Sequence, residues 1–131
     1  MTDRASDLER NKQTVLAFFD LAFNEKKPAE AAAKFIGDKY VQHNPQAGDG
    51  KEAFVQFATW FTSQFPGLRL EVKRVVAEGD VVATHSLLKT SPDDRGTVAA
   101  DLCRLENGKI VEHWDVLQPF PETAVNEHPM F

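Results

Sequence analysis

Cysteine is almost missing. Cys103 stands alone among 131 residues, which excludes an internal disulfide and fits a reducing, cytoplasmic setting. Basic clusters are missing as well. Fifteen Lys and Arg against twenty Asp and Glu give a net charge of −5, so nucleic acid is not the expected partner. No apolar run reaches the roughly 20 residues that a membrane span needs. The polar start MTDRASDLERNKQ carries no apolar signal core, so no membrane partner is expected either. The chain also has no phosphate loop, no dinucleotide glycine pattern and no nucleophile elbow. Its four histidines, His43, His85, His113 and His128, are scattered. His113 and Asp115 form an H-x-D pair, a spacing common by chance, and no metal site is expected. What the chain does have is the length of one domain, residues 1–131, able to stand without a staple. It also has ten phenylalanines and two tryptophans, enough to fill a core or line a pocket.

The front half has helical periodicity. Ser6 and Glu9 are spaced as a capping box, and Leu8, Val15, Leu16, Phe19 and Phe23 follow on one face, predicting a helix from about Ser6 to Asn24. Pro28 can open a second, short helix that stops near Gly37. DKYVQHNPQAGDG is a short extended piece and a loop. Phe54, Phe57, Ala58, Phe61 and Phe65 then mark a third helix, ended by Pro66-Gly67. The period changes to two at Leu68, Leu70 and Val72, and breaks at Arg74-Val75-Val76, where a bulge is expected. Three more strands follow: VVATHSLL, TVAADLCRL and KIVEHWDVLQ. Asn107-Gly108 joins the last two as a hairpin. Helices first and strands afterwards predict an α+β domain in which a curved sheet encloses a cone.

The hairpin concentrates the candidate chemistry. Asp101 interrupts an apolar strand. If Glu106 pairs with Lys109, Asp101 lies opposite Trp114, and Trp114, Val116 and Gln118 share its face. His113 and Asp115 would then face outward, toward a subunit interface; a single bulge would reverse the assignment. An acid among apolar neighbours has a raised pKa and can act as a base near neutral pH. A solvated Asp101, or one paired with an arginine, fits the pattern equally. His85, mid-strand, is either a hydrogen-bonded structural residue or a partner of Asp101. Tyr40, His43 and Asn44 can close a pocket mouth, although Asn-Pro is also a turn former. Phe19, Phe57 and Trp60 are core residues that can double as pocket wall. Cys103 fits a small buried apolar residue better than a nucleophile. Hydrolysis by an Asp101–Asp115 pair would need both acids on one face, which the strand count opposes.

Several stretches resemble the SnoaL-like polyketide cyclase family within the NTF2-like superfamily. These are YVQHNP, GKEAFVQF, DLCRLENGKIVEHWDVLQP and NEHPMF. The resemblance implies an NTF2-like conical barrel, with three N-terminal helices packed on a curved antiparallel or mixed sheet. It also implies a homodimer formed through the sheet and a pocket for a small apolar ligand or substrate. It assigns Asp101 as the acid/base, with His85 as the nearest match to an assisting histidine. The implied chemistry is a cofactor-independent intramolecular aldol condensation, or a related isomerisation, in which the enzyme moves protons and holds geometry. The short ends and loops argue for a substrate smaller than a large polycycle. The alternative within the same superfamily is a non-catalytic ligand-binding or dimerisation module.

Overall fold

The computed structural model describes residues 4–131. Helix α1 spans Arg4–Phe19 and runs into a π-helical turn, Asp20–Asn24. Ser6 lies inside α1 rather than at its cap, because the helix is already formed at Arg4. Helix α2 covers Pro28–Phe35 with Pro28 in its first turn, and α3 covers Lys51–Gln64. The strands are β1 (Ile36–Gln42), β2 (Arg69–Glu78), β3 (Val81–Lys89), β4 (Thr97–Glu106) and β5 (Lys109–Pro119). They form one mixed sheet in the order β1-β5-β4-β3-β2. β1 runs parallel to β5, while the other pairs are antiparallel. This is the NTF2-like α+β arrangement of three helices on a curved sheet. No helix among the described residues is long and apolar enough to cross a membrane.

One sheet face packs on the helices. Its core joins Val15, Phe18 and Phe19 of α1 and Phe54 of α3 to Ile36, Leu70, Val82, Cys103 and Ile110 of the strands. Asn24 ties the π-helical turn to the sheet edge. Its amide donates to the Leu70 carbonyl at 2.9 Å and accepts the Leu70 N–H at 2.8 Å. The two backbone groups of an edge residue are thereby paired by one side chain.

The hairpin turns where expected. Asn107 and Gly108 both have positive φ, 52° and 78°, the conformation that an Asn-Gly two-residue turn supplies. Glu106 pairs with Lys109 and Leu105 with Ile110. The next pair is Arg104 with Glu112, so Val111 is an extra residue on β5. Beyond this bulge Asp101 lies opposite Asp115, and Leu102 opposite Trp114. The expected pairing of Asp101 with Trp114 is therefore corrected by one residue, which exchanges the two faces of β5. Gly37 makes room for the bulge, since a Cβ there would sit 3.0 Å from Val111 Cγ1. The bulge expected in β2 is present, with the β2–β3 register shifting between Val72 and Arg74.

Candidate active site

Strand alternation determines which side chains reach the cone. On β4 the inward set is Ala99, Asp101, Cys103 and Leu105, all buried. The bulge gives β5 an inward His113 and Asp115. On β1, Tyr40 and Gln42 face the same space, and Asn44 continues their period of two just past the strand end.

These residues form a continuous polar chain in an otherwise aromatic interior. His113 Nε2 lies 2.8 Å from Asp101 Oδ1, and His113 Nδ1 lies 2.7 Å from Gln42 Oε1. Gln42 Nε2 donates to the Tyr40 hydroxyl at 3.1 Å. Asp115 Oδ2 stands 3.9 Å from His113 Nε2. Both Asp115 oxygens accept from the Asn44 amide, at 2.9 and 3.1 Å. Asp101 Oδ2 has no hydrogen-bond donor among the described residues. Thr84, opposite Asp101 on β3, buries its hydroxyl without a partner and so gives Asp101 no compensation.

Burial sets the electrostatics. It pushes the Asp101 carboxyl above its ordinary range; the hydrogen bond and charge of His113 pull it partly back, and the charge of Asp115 adds to the rise. Burial likewise raises the Tyr40 phenol, so Tyr40 stays protonated. Cys103 is raised by burial and by the two nearby aspartates, which leaves it a neutral, small, apolar side chain.

Two adjoining spaces meet at this chain. The inner one, about 70 Å³, is walled by Phe18, Phe54 and Tyr40 and reaches Gln42, Asp101 and His113. The outer one, about 390 Å³, is walled by aromatic residues of α1 and α3, with Leu70, Leu88 and Leu117 opposite. Phe19, Phe23, Asn44, Phe57, Asp101 and Asp115 border both. Asp101 thus stands where a small polar recess opens into a larger apolar funnel.

Of the residues anticipated for this site, Phe19, Tyr40, Asn44, Phe57 and Asp101 border it, and Trp60 lies at the rim of the funnel with 56% of its surface exposed. Four others are placed elsewhere. His85 pairs with Ala100, so it faces away from the cone and bonds Arg74 at 3.0 Å. Trp114 and Gln118 are turned to the outer face by the Val111 bulge. His43 alternates with Gln42 and Asn44 and also faces outward, stacked on Trp114 at 4.8 Å and bonded to Glu112 at 2.7 Å. The residues passed over, Gln42, His113 and Asp115, had a signal in the polar period Y-x-Q-x-N and in H-x-D. Asp101, His113 and Asp115 present ligand atoms within 4.8 Å of one another, the one such grouping among the described residues that could hold a metal ion. Within it His113 Nε2 and Asp101 Oδ1 are at hydrogen-bond distance, 2.8 Å.

The family model described as the SnoaL-like domain matches residues 15–113. No curated protein matches the chain. Among solved structures, a candidate ketosteroid isomerase of Kribbella flavida is similar at 21% identity and TM-score 0.73, covering 94% of this chain and 93% of that one. A candidate SnoaL-like polyketide cyclase of a Jannaschia species is 22% identical with TM-score 0.70, covering 89% and 91%. An NTF2-like protein of unknown function from Mesorhizobium loti is 24% identical with TM-score 0.70, covering 90% and 96%. At these identities the likeness is one of fold.

Proposed function

The chain belongs to the SnoaL-like domain family, and from that premise we propose that it is a cofactor-independent acid/base enzyme acting on a small apolar carbonyl compound. Asp101 Oδ2 takes a proton from the carbon next to the carbonyl. The resulting enolate then closes a ring by aldol addition or is reprotonated elsewhere as an isomer. The observation that carries this reading is the state of Asp101: a buried carboxyl, raised by its surroundings, with one oxygen held by His113 and the other free at the junction of the two spaces. A base near neutral pH needs that combination.

Tyr40 supplies the complementary group. Its hydroxyl accepts from Gln42, and its own hydrogen has no acceptor among the described residues. Burial keeps it protonated, so it can donate to the oxygen on which enolate charge develops. Asp115 is a poorer base because Asn44 occupies both of its oxygens. The ketosteroid isomerase and polyketide cyclase names borne by similar folds belong to the same chemistry of proton transfer beside a carbonyl.

Deuterium exchange tests the reading without the natural substrate. 2-Tetralone, a small fused-ring ketone, offers an acidic α-carbon and an aromatic body for the funnel. In D2O the protein is expected to accelerate loss of its α-proton signals above the buffer rate. No acceleration with this ketone or an open-chain aryl ketone would sink the assignment.

The outer sheet face supports a homodimer. Val76, Ala83, Leu102 and Trp114 form one cross-strand row, and Arg74, His85, Ala100 and Val116 the next. Val116 is 73% exposed and Val76 63%, a concentration of apolar surface that a soluble monomer rarely leaves bare. Sedimentation of the wild type is expected to give twice the chain mass. Leu102→Asp combined with Val116→Asp should return it to one chain mass.

A further inference from the structure

We propose that Gln42 is a positioning residue that fixes the tautomer of His113, holding a hydrogen on Nδ1 in addition to the proton between Nε2 and Asp101 Oδ1. The argument begins at a backbone donor. The Asn44 N–H reaches Gln42 Oε1 at 3.0 Å, and a backbone N–H can only donate. It therefore fixes which end of the Gln42 amide is oxygen, since a flipped amide would set two donors face to face. The same oxygen lies 2.7 Å from His113 Nδ1. A carbonyl oxygen has two lone pairs and can accept both bonds. Nδ1 must then carry a hydrogen.

The consequence appears on the other side of the ring. With Nδ1 protonated, a neutral imidazole has a bare lone pair at Nε2. Asp101 Oδ1 stands 2.8 Å away, and two lone pairs at that distance repel. A proton must lie between them, on one atom or the other. The opposite tautomer would satisfy Asp101 with Nε2–H but would set a bare Nδ1 against Oε1. Gln42 thus disfavours the arrangement with Nε2–H against the Asp101 carboxylate and a bare Nδ1, in which the pair carries one proton fewer. Only Asp101 Oδ2 is left to accept a proton from outside.

The groups facing His113 agree with this assignment. β4 brings Asp101 and the neutral Cys103; β5 brings Asp115; β1 brings Tyr40 and Gln42. α1 and α3 bring only the rings of Phe18, Phe19, Phe54 and Phe57 to the inner space. Among the described residues no Lys or Arg borders this space. The tautomer stands on hydrogen-bond geometry alone, whereas its catalytic use rests on the acid/base reading above.

Long-range 1H–15N spectra of protein labelled at histidine nitrogen test it directly. In the wild type at neutral and mildly alkaline pH, His113 Nδ1 is expected to show the bonded-hydrogen signature. In Gln42→Leu, His113 should move to the Nε2–H form, because Asp101 then presents the only acceptor. The exchange rate on 2-tetralone should fall about 10- to 100-fold, the scale of losing a neighbour that orients a histidine, chiefly in kcat and with a displaced pH profile. Gln42→Glu retains an acceptor and should retain the Nδ1–H signature. A bare Nδ1 in the wild type, or one tautomer in wild type and Gln42→Leu alike, would overturn the proposal. The wild-type spectrum decides even if the leucine variant fails to fold. An Nδ1–H signature without ketone exchange would uphold the tautomer and refute the acid/base reading.

Discussion

Asp101→Asn is expected to lower the exchange rate of 2-tetralone by about 10²- to 10⁴-fold, the usual contribution of a positioned base. 2-Naphthol, an aromatic enol of the same outline, should still bind. Asparagine has nearly the shape of aspartate, and its amide N–H can donate to the bare His113 Nε2. What it cannot do is take up a proton. A parallel loss of naphthol binding would mean that Asp101 shapes the pocket and does not act as the base. Stability gives a second readout with a definite sign. The Asp101 carboxyl is raised above its ordinary 3.8 in the folded chain, so folding favours its protonated form. Its contribution to stability is fully present below the ordinary value and is lost as pH rises through the raised one. Asparagine has no such dependence. The wild-type stability minus that of Asp101→Asn should therefore shrink as pH rises from the ordinary carboxylate range through the raised Asp101 value. Chemical denaturation at a series of pH values measures the difference, and a gap that widened with pH would contradict a raised Asp101.

The contrast between the two bulges explains how much of the fold and the site could be read from the sequence. The order of helices and strands was legible because each element carries its own period, and the last hairpin because Asn107-Gly108 specifies its turn. The bulge near Arg74 was legible because the alternation of Leu68, Leu70 and Val72 visibly breaks. The Val111 bulge leaves no such break, and simple alternation prefers Trp114 and Val116 inside. Its register is supported by distant partners instead. Gln42 reaches His113 and Asn44 reaches Asp115, each across 71 positions. On the opposite face Arg104 donates to Glu112 at 2.9 Å, a pair that exists only in the bulged register. Hydrophobic pattern reports burial; it does not report a hydrogen-bond partner arriving from β1. Asp101 was therefore reachable from the sequence, while its histidine partner moved from His85 to His113. Tyr40 and Asn44 could be named as pocket residues. Gln42, between them, is recognisable only once β1 is seen beside β5.

Phe54→Ala is expected to cost about 3–5 kcal/mol of stability, the range for removing a buried phenylalanine. Phe54 joins the helical layer to the site. Its ring lies 5.0 Å from Phe18, and it meets Phe23 and Tyr40 edge-on at 6.2 and 6.3 Å. Aromatic contacts of this kind add about 0.5–1.5 kcal/mol each beyond burial, and three converge here. Their backbones belong to α1, the π-helical turn and β1, which cannot all move inward to close the gap. The cavity would instead enlarge the inner space beside Asp101. 2-Naphthol should then protect Phe54→Ala against thermal unfolding more than it protects the wild type, because a bound ring replaces part of the lost contact. Trp60 on the same helix is the control. It is 56% exposed at the funnel rim, so Trp60→Ala should change stability by no more than about 0.5 kcal/mol while weakening naphthol binding. Equal destabilisation by the two substitutions would mean that α3 does not divide its aromatic residues between core and funnel. A large loss at Phe54 and a small one at Trp60 would place the boundary between core and site within a single helix.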